Sequence, residues 1–98
     1  MKLIEKMIDA IEEELEGAKN YAEKYLENKA RGNMQRATAF KEMASDELRH
    51  ASHIYDFSVQ DISHIKDVYT LPVEVEEKWD HARKHYTECV GWIKQMLA

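Results

Sequence analysis

The chain has 98 residues, one proline, three glycines, 34% charged residues and a formal net charge of −5. This is the length of a single core and the composition of a water-facing helical protein, and the acidic balance excludes nucleic acid and anionic membranes as main partners. A lone cysteine, Cys89, closes no internal disulfide, and no hydrophobic run reaches the length of a membrane span or signal sequence. The expectation is one domain over residues 1–98, cytoplasmic, with no membrane and no nucleic-acid partner.

Apolar residues at three-and-four spacing (Leu3, Ile4, Met7, Ile8, Ile11, Leu15, Ala18, Tyr21, Ala22, Tyr25, Leu26) predict a first helix over about residues 2–30. Glu14 sits inside this stripe, three residues after Ile11 and four before Ala18. Taken alone, it is equally well explained as an edge residue whose long side chain reaches solvent. Gly32-Asn33 then breaks the helix. Lys29 and Arg31 suit its negative end, Gly32 can turn left-handed, and Asn33 can cap the next helix.

A second helix is predicted over about 34–66, with Phe40, Met43, Ala44, Glu47, Ala51, Ile54 and Phe57 as its buried stripe. A carboxylate again stands where an apolar side chain is expected, which is costly unless something pairs with it. Glu47 and His50 have the Glu-x-x-His spacing that puts both on one face, as a metal in a helical bundle requires. With five histidines and abundant glutamate in the chain, chance alone can supply such a pair. Position decides the matter. So short a turn folds the second helix back along the first, and Glu14 then stands opposite His50-Ala51, within about one turn of Glu47.

Residues 68–71 read as a short connection, and Pro72 suits the first turn of a third helix over about 73–97, with Glu74, Glu76 and Glu77 near its positive end. Its buried stripe is Val75, Trp79, Ala82, Tyr86, Cys89, Val90, Ile93 and Leu97, with Cys89 a small buried residue. His81 and His85 are four apart, a spacing that can hold zinc, but they fall on the polar flank beside Trp92 with no carboxylate or thiolate placed with them in the core. Solvated or interfacial histidines are the expectation there, and His53 and His64 read as structural or exposed.

The ligand count points beyond one chain. A di-iron or di-manganese carboxylate site in a four-helix bundle takes one Glu from each of two helices and Glu-x-x-His from each of the other two. Glu14, Glu47 and His50 are half of that set. The fold class expected is therefore all-α: an antiparallel hairpin plus a third C-terminal helix, dimerising about a two-fold axis into a ferritin-like four-helix bundle. Four carboxylates from two chains would balance two Fe²⁺, and without metal they would repel one another. Hard oxygen donors with two imidazoles suit iron or manganese, and zinc would also bind.

Glu13-Glu14-Leu15-Glu16 with Tyr21, followed by Asp46-Glu47-Leu48-Arg49-His50-Ala51, resembles the ferritin-like di-iron carboxylate family, and within it the half-size encapsulated ferritins whose site is completed by dimerisation. The resemblance covers roughly residues 4 to 57. It implies a ferroxidase centre with two Fe per dimer, Glu14 and His50 as terminal ligands and Glu47 bridging. It also implies Glu13 and Glu16 as acidic residues that draw metal towards the site, and Tyr21 as the nearby aromatic. The residues themselves favour Tyr21 as a core aromatic and Glu13 and Glu16 as a solvated face. The third helix is longer than in encapsulated ferritins, and Ile93-Lys94-Gln95-Met96-Leu97-Ala98 resembles no cargo tail, so the C-terminus does not support an encapsulin shell.

The function expected is oxidation of Fe²⁺ with O₂ or H₂O₂ at a site shared by a homodimer, with higher oligomers left open. Two alternatives stand beside it: a non-catalytic helical oligomerisation protein, and a structural Zn or Mn site stabilising the dimer. A self-contained rubrerythrin-like peroxidase is less favoured, because the paired cysteines of its electron-transfer domain are missing from this sequence.

Overall fold

Three helices and no strands make up the computed structural model, which describes residues 1–98: α1 Lys2–Ala30, α2 Met34–Val68 and α3 Val73–Leu97. The α1–α2 turn uses the chemistry its residues predict. Gly32 takes a positive φ of 77°, which costs a glycine nothing and would strain any Cβ-bearing residue. The Asn33 side chain accepts a hydrogen bond from the Arg36 N–H at 3.2 Å and so satisfies one of the donors that begin α2.

Along α2, Ala37, Ala44, Ala51 and Ser58 recur every seven residues and are all buried. These small side chains let α1 and α2 approach closely over their whole length. Opposite them lie Ile4, Ile11, Leu15, Ala18, Ala22 and Tyr25 of α1. The Ser58 hydroxyl donates to the Ile54 carbonyl at 2.7 Å, so it is buried without an unmet polar group. The second helix runs two residues past its expected end, because the Tyr69 N–H still closes onto the Ile65 carbonyl before the chain becomes extended towards Pro72. Pro72 sits just outside α3 as its N-cap instead of inside the first turn.

The third helix lies parallel to α1. Lys78 bonds Glu5 at 3.0 Å and His85 meets Glu12 at 3.2 Å, both pairs 73 residues apart, which fixes the register. Val75, Trp79, Ala82, Ile93 and Leu97 are buried against the hairpin. From α2, Tyr55 reaches across to stack on Tyr86, with ring centres 4.0 Å apart, and accepts a hydrogen bond from Arg83 Nε on its hydroxyl.

The expected stripes need one correction. Leu3, Leu26, Met43 and Phe57 are exposed, Phe57 by 62%. For Leu3, Met43 and Phe57 the cause is coverage, since α3 lies along one flank of the hairpin and nothing in the chain covers the flank that carries them and His50. No helix is long and apolar enough to cross a membrane.

Candidate metal centre

Glu14 of α1 and Glu47 and His50 of α2 meet on that open flank. One ligand atom from each lies within 4.8 Å of the others. His50 Nδ1 is 3.8 Å from Glu14 Oε2. Both carboxylates are half-buried and the imidazole is exposed, so the group sits at the surface of a single chain with its outer side open. The hairpin produces this meeting by register alone, since antiparallel pairing about Gly32-Asn33 sets Glu14 beside the Glu47–His50 turn.

Electrostatics mark the cluster as incomplete. A hydrogen bond shared with Glu14, partial burial and the Glu14 charge push the Glu47 carboxyl above the usual carboxylate range, while His50 pulls it back. Two carboxylates bond to each other only by sharing a proton, and a cation would relieve the same repulsion more fully.

Around them is a groove of about 460 Å³ lined by Glu13, Glu14, Gly17, Asn20, Tyr21 and Lys24 of α1 and by Glu47. The rubrerythrin family model matches residues 5–91, nearly the whole chain and all three ligand candidates. The chain belongs to the rubrerythrin family. No individual curated protein and no solved structure matches it. Rubrerythrin-family proteins typically bind iron in a di-iron site, and the donors here fit that metal. Two hard carboxylates and an imidazole converge at ligand spacing, and neither carboxylate forms an ion pair with a lysine or arginine.

The other sequence candidates separate. Glu13 lines the groove beside Glu14, whereas Glu16, one turn further on, lines the adjoining groove that faces α3 with Glu12 and His85. Of the two, Glu13 is the one that borders the groove of the cluster. Tyr21 is half-buried, stacks on Phe40 with ring centres 6.3 Å apart and walls the groove, so it is both packed aromatic and neighbour of the site. His53 and His64 are exposed and away from the cluster.

Gly17 was invisible to motif reading. A Cβ built on it would lie 3.1 Å from Glu47 Oε2 and 3.5 Å from Glu47 Cδ. A glycine in mid-helix gives up about 1 kcal/mol of helix propensity relative to alanine, and here it is the gap into which the Glu47 carboxylate fits. The available signal was a single glycine interrupting a 29-residue helix, one turn beyond Glu14. Gly17→Ala should leave the metal-free protein melting at or above wild type, yet weaken Fe²⁺ binding about tenfold or more by displacing a ligand a few tenths of an ångström. Thermal melting and anaerobic Fe²⁺ titration of the two proteins check this. Unchanged affinity would show that Glu47 moves aside at no cost.

Proposed function

We propose that two copies of this chain pair through their open flanks to complete one dinuclear iron centre, and that the dimer oxidises Fe²⁺ with O₂ or H₂O₂. The observation that carries this reading is the half set of ligands, two carboxylates and one imidazole converging on an uncovered apolar flank. A second hairpin related by a two-fold axis supplies the same three ligands again. It yields the four Glu and two His of a bundle di-iron site and covers Leu3, Met43 and Phe57. This is the pairing expected of the half-size ferritins that the motifs resemble.

In such a centre Fe²⁺ is the electron donor, the oxidant the acceptor, and the bound metal supplies the redox chemistry. The chain's own residues set its conditions. Glu14 and Glu47 offer carboxylate oxygens to a cation, whose charge relieves the repulsion that raises the Glu47 pKa. His50 offers a ring nitrogen 3.8 Å from Glu14. Glu13 at the groove's mouth favours an approaching cation, and Lys24, held over the Phe40 ring at 5.6 Å, keeps a positive charge at the groove's far end. Dimer closure would exclude water from the exposed side of His50.

The test is anaerobic loading of the wild-type protein with Fe²⁺, then mixing with O₂ or with H₂O₂, following the near-ultraviolet absorbance of ferric iron. Rapid oxidation saturating at two Fe per dimer supports the reading. Oxidation no faster than in buffer alone contradicts it and leaves a structural metal site.

A further inference from the structure

We infer that His81, His85 and Glu12 form a second divalent-metal site, suited to Zn²⁺, that clamps α3 to α1 and is independent of the iron centre. The two histidines are one turn apart on α3, with rings parallel to within 9° and centres 6.5 Å apart. The carboxylate that sequence alone does not place comes from the parallel register of α1, which sets Glu12 Oε2 at 3.2 Å from His85 Nε2. Two donors bound at about 2.1 Å to one tetrahedral zinc stand roughly 3.4 Å apart, so Glu12 and His85 already hold the separation of co-ligands. Glu12 also borders the adjoining groove that His81 lines. The three donors are not all within 4.8 Å of one another before metal binds; His81 is exposed, so its side chain can turn to close the site.

Two imidazoles and a carboxylate from two helices, with water in the fourth position, make a borderline donor set that favours Zn²⁺ over Mg²⁺ or Ca²⁺. The site lies on the flank of α1 facing α3, and Glu14, Glu47 and His50 lie on the other, so neither site uses a ligand of its neighbour.

Zn²⁺ titration into four full-length chains tests this: wild type, E47A/H50A, H81Q/H85Q, and all four substitutions together. The expected result is that E47A/H50A keeps one Zn²⁺ per chain, that the combined variant loses it, and that H81Q/H85Q takes up one equivalent fewer than wild type while oxidising Fe²⁺ at the wild-type rate. E12Q, which keeps both imidazoles, should bind this Zn²⁺ about tenfold or more weakly. Equal Zn²⁺ uptake by wild type and H81Q/H85Q would overturn the site, whatever becomes of the iron reading. Loss of iron oxidation in E47A/H50A with Zn²⁺ retained separates the two.

Discussion

Glu47→Ala should abolish rapid iron oxidation, slowing it on the order of a hundredfold or more, because in the proposed dimer it removes two of four carboxylates at once. Glu47 is the ligand most committed to the site. It is half-buried, beside the Glu14 carboxylate and fitted against Gly17. The same substitution should not destabilise the metal-free protein at neutral pH. Folding raises the Glu47 pKa; its contribution to stability is therefore fully present below its unfolded value and lost as pH rises through the raised folded value. At pH 7 the metal-free wild type holds an unrelieved pair of carboxylates, so Glu47→Ala is expected to melt at the wild-type temperature or above it. Any advantage should shrink as the pH falls below the ordinary carboxylate range. Calorimetry across pH together with the oxidation assay checks both halves. A variant that melts well below wild type and oxidises iron normally would reverse the assignment, making Glu47 a structural residue.

Phe57→Asp should separate folding from assembly. Phe57 is seven residues beyond His50 on the same flank, 62% exposed and outside both buried clusters of the single chain. A charge there costs the isolated helices little. In a dimer it would place two carboxylates within an apolar seam, and the dissociation constant is expected to rise on the order of a hundredfold. Iron binding should fall with it, although Glu14, Glu47 and His50 are untouched. Circular dichroism, sedimentation and Fe²⁺ titration on the same sample distinguish the outcomes. A monomeric Phe57→Asp protein that still binds iron tightly would mean that one chain holds a whole site.

Much of the fold can be read from the residues because the punctuation is local. Gly32, Asn33 and Pro72 act within a turn or two, and the three-and-four spacing names most of the buried positions. The convergence of Glu14, Glu47 and His50 is legible for the same reason, since a tight turn between long helices makes register a matter of counting. The features that escape depend on a third body. Helical periodicity marks Phe57 and Met43 as buried but does not say by what, and within the chain they are uncovered. Glu13 and Glu16 look equivalent in sequence, yet the turn between them separates them into adjoining grooves, Glu13 beside the cluster and Glu16 towards α3. Glu12 becomes a partner of His85 only through the α1–α3 register, which no turn residue announces. Gly17 is silent for a different reason, because its role is an absence of atoms beside Glu47.

Mass spectrometry of the intact, non-denatured protein after anaerobic loading with Fe²⁺ bears most directly on the shared centre. The dimer should carry two irons and the monomer none at the Glu14–Glu47–His50 cluster, with added Fe²⁺ shifting the population towards dimer, since metal held only by the assembled site must favour assembly. Iron bound tightly to the monomer, or a monomer–dimer balance indifferent to Fe²⁺, would contradict the shared site.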